Sequence, residues 1–248
     1  MALNRETWTF PLVDRTTRAT NISVIIPALN EALSIERAVR TCWEAGVDQV
    51  VVVDGGSEDD TTRLASESGA EVRLSGPGRA EQQNFGAQHS TGEVLLFLHA
   101  DNWLAPAIGQ QIRQCLADNH ALGGAFLQRI EATGRSYRWL ERGNAARLRW
   151  RGLAYGFQAI FLRRSIFEKL GGFPQVKLME DLLLMRAFRK LSWPVVLPGP
   201  VYVNPRRWQR HGIVRQTLRN WSLLSAQAMG VAPDRLARFY PAHDQPSG

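Results

Sequence analysis

Between Ile22 and Leu98 the chain repeats one pattern: a short strand-like run, then about ten residues or more at helical spacing. The runs are Ile22–Ile26, Val50–Val53, Glu71–Leu74 and Val94–Leu98. The segments after them are Glu31–Ala45, Asp59–Ser68, Arg79–Gln88 and Pro106–Ala117. Strands that are apolar on consecutive residues need cover on both faces, and helices of that length can connect parallel neighbours. The expected fold is therefore α/β, with a mostly parallel central sheet and helices on both faces.

Beyond Asn119 the rhythm weakens. Gly123–Ile130 and Ala159–Arg163 read as strands, and Ser136–Arg151 as a basic helix. Ser165–Leu170 reads as a short helix closed by Gly171-Gly172, and Leu178–Lys190 as a helix stopped before Pro194. Val195–Val203 carries two prolines, which predicts an edge strand or a loop. His211–Met229 and Pro233–Tyr240 read as terminal helices. No repeat or linker divides the chain, so residues 21–240 are read as one domain between a loose extension, 1–20, and a tail, 241–248.

Composition narrows the partners. An apolar content of 44% and a charged content of 21% suit an ordinary globular chain. Cys42 and Cys115 lack metal or disulfide spacing, which fits a reducing cytoplasm and buried, apolar roles. The first twenty residues lack a signal-type apolar core, and no run reaches the roughly 18 apolar residues of a membrane span. A net charge of +7, carried mostly by arginine, favours anionic ligands.

In an open α/β sheet, ligands bind beyond the carboxyl ends of the strands. The first strand ends in Pro27-Ala28-Leu29-Asn30-Glu31, where Asn30 could cap a helix and Glu31 could face its dipole. The second ends in Asp54-Gly55-Gly56-Ser57; the glycines would let backbone approach a ligand, and Ser57 with Asp60 resembles a capping box. Asp54 has no such structural explanation, and its carboxylate could accept from a base or a ribose. The third leads through Gly76-Pro77-Gly78 into a helix starting at Arg79 and carrying Asn84, a natural anion site. The dinucleotide fingerprint and the P-loop are both absent. The fourth delivers His99 and Asp101. In the back half, Glu180 and Asp181 sit among apolar residues at a helix start, where they either serve the helix dipole or, desolvated and raised in pKa, suit a general base. Asn204-Pro205-Arg206-Arg207-Trp208 is a basic-aromatic cluster, either a solvated turn with one core Trp or a platform to hold an anion or stack on a sugar.

In this order the motifs resemble the family 2 inverting glycosyltransferases of the GT-A fold. SVIIPALNE, VVVDGGSEDDT, GRAEQQNFG, LLFLHAD, MED and RRW match six successive family motifs between Ile22 and Trp208. With YGFQAIFLRR and GGFP they look closer still to a bacterial "transferase 2" subgroup associated with radical-SAM or selenium-domain genes. The resemblance implies a nucleotide-diphosphate sugar donor, usually UDP-linked, and a divalent cation, Mg²⁺ or Mn²⁺. It assigns residues 21–118 to nucleotide binding, 119–210 to the acceptor and 211–240 to C-terminal helices.

Carried onto this chain, Pro27, Asn30 and Glu31 would flank the nucleoside, with Asp54, Gly55 and Ser57 at the base. Gly78, Arg79 and Asn84 would lie near base or phosphate. Asp101 matches the last acid of Asp-x-Asp, and His99 replaces the first, leaving these two as the metal candidates. Asp181 matches the base, beside Glu180. Gln158, Arg207 and Trp208 would face acceptor or diphosphate, with Asn204 where processive members carry Gln. That departure, with no spanning segment, argues against polymer synthesis.

The acceptor is open among lipid, carbohydrate and small molecule. Arg135–Arg151 holds six Arg and one Glu interleaved with Tyr137, Trp139 and Trp150, either a solvated face or an anionic-membrane contact. RQTLRNWSLLSAQAM is similarly basic and amphipathic. The expected location is the cytoplasm, peripheral to the membrane's inner face if that contact is real. Competing readings are a sugar-phosphate nucleotidyltransferase and a non-catalytic nucleotide- or membrane-binding module. No recognised motif supports nucleic-acid binding.

Overall fold

A computed structural model describes residues 20–236. The expected extension and tail, and the last residues of Pro233–Tyr240, lie outside these. The front half contains β1 (Ile22–Ala28), α1 (Ile35–Glu44), β2 (Gln49–Asp54), α2 (Thr61–Glu67), β3 (Glu71–Leu74), α3 (Arg79–Gln88), β4 (Val94–Phe97), β5 (Asn102–Leu104) and α4 (Ile108–Ala117). The back half contains β6 (Gly123–Ile130), α5 (Arg135–Arg151), β7 (Ile160–Arg163), α6 (Arg164–Lys169), α7 (Glu180–Leu191), β8 (Val195–Val203), α8 (Arg206–His211), α9 (Ile213–Ala228) and α10 (Pro233–Leu236). One sheet runs β3-β2-β1-β4-β7-β6-β8-β5. Its front four strands are parallel; β7 is antiparallel to both β4 and β6, and β5 to β8.

The consecutive apolar residues serve two cores. Val24, Ile26, Val50, Val52 and Leu96 face α1 and α4, whereas Ile25, Val51, Val53, Leu95 and Phe97 face α3, α6 and α7. Every residue of β1 is buried. Helix α3 packs so closely that a Cβ on Gly86 would lie 2.6 Å from Ile25 Cγ2. Cys42 is buried in the first core; burial pushes its thiol well up, and that of half-buried Cys115 up to about 11.

Three expectations change. Val195–Val203 is an interior nine-residue strand between β6 and β5, not an edge or a loop. Its pairing with β6 jumps from Phe126–Leu197 to Gln128–Val201, so Pro198 and Pro200 fall in the irregularity, where a missing N–H breaks no ladder bond. The helix expected from His211 begins at Ile213 as α9, because Gly212 (φ 77°) separates it from α8, which ends at His211. Asn102–Leu104, too short to signal itself, is a strand.

Candidate active site

The carboxyl ends of β1 and β2 are tied together before any ligand arrives. The buried Gln82 side chain of α3 donates to the carbonyls of Ala28 (2.7 Å) and Val53 (2.8 Å). Gly55 is small because that amide fills its space: a Cβ there would lie 3.1 Å from Gln82 Nε2. The Asp54 carboxylate accepts from the backbone of Gly56 (2.9 Å) and Ser57 (2.8 Å) and from the Ser57 hydroxyl. Gly56 needs its φ of 98°. Asn30, at φ 52°, receives Glu58 N–H on Oδ1 and donates its own N–H to Ser57 Oγ. Asn30 therefore does not cap α1, and Ser57 forms no capping box; both lock the β1 and β2 loops together. Pro27 is buried within β1, opposite Val53.

Beside this platform lies a cavity of about 150 Å³. From the front half it is lined by Arg79, His99, Asp101 and Asn102. Tyr155, Phe157 and Asp181 line it from the back half, and Asn204, Arg207, Trp208, Gln216 and Leu223 from the C-terminal segment. Seven residues singled out in the sequence thus meet here: Arg79, His99, Asp101, Asp181, Asn204, Arg207 and Trp208.

Their supports differ. Arg79 opens α3 after Gly78, and its Nε lies 3.0 Å from Glu180 Oε1. Glu180 is buried behind the wall; burial raises its pKa, neighbouring Asp181 adds to this, and Arg79 opposes it. Asp181 alone of the acidic pair reaches the cavity. Its Oδ2 accepts Gly156 N–H at 2.6 Å and its Oδ1 accepts Leu182 N–H at 2.6 Å. A Cβ on Gly156 would lie 2.2 Å from His99 Nε2, so that glycine also seats the imidazole.

Arg206, passed over in favour of its neighbour, joins the two ends of the site. Its Nη2 donates to both Glu31 oxygens (2.7 and 2.9 Å) and lies 3.5 Å from Asp101 Oδ2. Burial, then the Asp101 charge, raises the Glu31 pKa, while Arg206 lowers it. Asn204 Oδ1 accepts Arg206 N–H at the start of α8.

Two candidates have internal partners. Both ends of the Asn84 amide bond the Phe173 backbone at 2.8 Å. Gln158 is fully buried and receives Arg147 Nη2 at 2.6 Å. Arg147, its charge disfavoured by burial, lies 3.7 Å from the centre of the Tyr155 ring and so shapes the wall indirectly. Tyr155 and Phe157 belong to the YGFQAIFLRR motif but were not named as site residues, and Asn102 and Gln216 gave no motif signal.

The glycosyl transferase family 2 profile matches residues 23–171, more than half of the chain. The chain belongs to that family. It is 30% identical over 110 residues to glucosyl-3-phosphoglycerate synthase of Mycobacterium tuberculosis, covering 40% of this chain and 34% of that protein. The chain thus spans about a third of the length of that relative.

Among solved structures it resembles mannosyltransferase PcManGT from Pyrobaculum calidifontis in complex with GDP-Man and Mn²⁺. The TM-score is 0.60 at 21% identity, covering 93% of this chain and 67% of that one. S. aureus TarS with UDP-GlcNAc matches at TM-score 0.58 and 17% identity, over 74% of this chain and 58% of that one. At these identities the likeness concerns the fold, which is that of the GT-A glycosyltransferases. Among the described residues no helix is long and apolar enough to cross a membrane.

Proposed function

We propose that this family 2 member is an inverting glycosyltransferase moving a sugar from a nucleotide-diphosphate donor, UDP-linked by preference, to an acceptor hydroxyl. One observation carries the reading: Asp181, held on both oxygens, shares a cavity with Asp101 and two arginines. The order of motifs supports placing it in the "transferase 2" subgroup.

A divalent cation fits the donor set. Among the described residues no three His, Cys, Asp or Glu side chains cluster as a self-sufficient metal site. A cation carried by a diphosphate needs only one or two protein ligands, and Asp101 with His99 supplies that number. Glu31 and Asp101 both lie within reach of the Arg206 guanidinium. When bound, the cation would neutralise charge developing on the leaving diphosphate.

The chain's own groups supply the rest. Asp181 accepts the proton of the acceptor O–H as that oxygen bonds the anomeric carbon. The bond from that carbon to the phosphate oxygen breaks, and its electrons leave with the nucleoside diphosphate. Arg79 and Arg207 offer fixed positive charge to it, in a site where no solvent need reorganise. Attack opposite the departing group inverts the anomeric centre, as in single-displacement hydrolases. The platform of Asn30, Asp54 and Ser57 would take the nucleoside end.

The test is a thermal-shift screen of UDP- and GDP-sugars with Mn²⁺, followed by assay of released nucleoside diphosphate. Stabilisation by nucleotide-sugars with slow turnover, accelerated by a hydroxyl acceptor, is the expected result. Pyrophosphate released from a nucleoside triphosphate and a sugar phosphate would instead identify a nucleotidyltransferase.

A further inference from the structure

Helix α5 turns one side to the protein, and among the described residues nothing covers the other. Leu148 is fully buried and Arg147 reaches the Tyr155 wall, yet Trp139 is 69% and Trp150 81% exposed. These tryptophans stand eleven positions apart, which at about 100° per residue places them roughly 20° from one another and about 16 Å apart along the axis. Gly143 and Ala146 lie between them, so nothing bulky interrupts the stripe.

Arg135, Arg142 and Arg149, all exposed, follow at intervals of seven and form a parallel row on one flank. Arg142 reaches the Trp139 ring, 5.6 Å from its centre. The helix's one acidic residue, Glu141, is turned inward to Arg138 (3.0 Å) and the Ile130 N–H (2.6 Å). The exposed side of α5 therefore carries no negative charge. The patch continues at its carboxyl end, where Arg189 donates to the Arg151 carbonyl (2.8 Å) and Pro194 lies against Gly152. There Leu191 and Trp193 are exposed, beside the cations Arg189 and Lys190.

We propose that this face docks on an anionic lipid bilayer, α5 lying in the interface with its indoles at headgroup depth and its arginines on the phosphates. The chemistry favours this occupant. Indole, with an apolar body and one N–H donor, concentrates at membrane interfaces, and flanking arginines add attraction to anionic headgroups. The indoles are widely separated along the helix, so a folded partner would need two matched pockets, whereas a deformable interface needs none. Arg147, on the inner side of the same helix, meets Tyr155 of the cavity wall, so a docked α5 would hold the site close to the lipid surface.

The test is co-sedimentation of the full chain with vesicles of phosphatidylcholine alone and of phosphatidylcholine with 30% phosphatidylglycerol, read beside tryptophan emission. Binding to the mixed vesicles only, with a blue shift, is expected. Trp139→Ala with Trp150→Ala should weaken it at least tenfold. Arg142→Gln and Arg149→Gln should each cost about fivefold, lost as salt rises. Unchanged melting temperatures would show that the variants fold. Failure to bind, equal binding to uncharged vesicles, or binding indifferent to these substitutions overturns the proposal. So does tight binding to a single-stranded RNA that the vesicles do not compete away. None of these readouts depends on turnover.

Discussion

The Gly156 N–H donates to the Asp181 carboxylate at 2.6 Å, joining the segment before β7 to the first turn of α7. Because the same glycine leaves no room for a Cβ against His99 Nε2, it positions two residues of the cavity lining. Gly156→Ala should displace the imidazole or the Asp181 contact. The expected outcome is at least a tenfold loss of transfer, with a destabilisation of about 1–3 kcal/mol from overpacking. Steady-state kinetics and denaturant titration read the two effects separately.

Asp181→Asn keeps the acceptor of one backbone bond but removes the base. Transfer should fall by about 10²–10⁴, the usual contribution of a positioned general base. Affinity for the nucleoside diphosphate, by calorimetry, should stay within about threefold. Lost nucleotide affinity would make Asp181 a binding residue instead.

Arg206 neutralises Glu31, which is largely withdrawn from water, and lies beside Asp101. Arg206→Gln should destabilise the fold by about 1–2 kcal/mol, the lower part of the range for charged hydrogen bonds because the guanidinium is partly exposed. Removing a cation next to Asp101 should also lower the Mn²⁺ concentration needed for half-maximal rate. An unchanged requirement would separate Asp101 from the metal.

Burial raises Glu180 above its ordinary 4.5 despite Arg79. The folded state then holds this proton more tightly than the unfolded chain. The resulting stabilisation is fully present below about pH 4.5 and is lost as pH rises through the folded-state value. Glu180→Gln should flatten that part of the stability–pH curve, measured by thermal melts from pH 4 upward. It should also loosen Arg79 and raise KM for the donor more than it changes kcat.

Much of this molecule was legible in its sequence. Ile22–Ile26, Val50–Val53 and Val94–Leu98 are apolar on consecutive residues because each strand serves two cores, so the pattern alone implied a parallel sheet with helices on both faces. Strand ends in such a sheet carry ligands, which made Arg79, His99 and Asp101 readable as neighbours.

What escaped was decided across the sheet. Whether Arg206 or Arg207 would meet Glu31, 175 positions away, depends on the start of α8, where Asn204 Oδ1 accepts the Arg206 N–H. Asp54 and Asn30 also bind loop to loop, and Gly55 makes room for the Gln82 amide, supports that no local pattern announces. Gln158 and Asn84 are likewise spent on internal partners. The strand at Val195–Val203 was hidden by prolines that only the register with β6 could place in an irregularity. Local periodicity reports which elements form and which faces they bury, because those depend on neighbours within a few residues. Which polar groups are left for a ligand is settled by distant partners, because a buried donor or acceptor takes whichever partner the packed chain brings within reach.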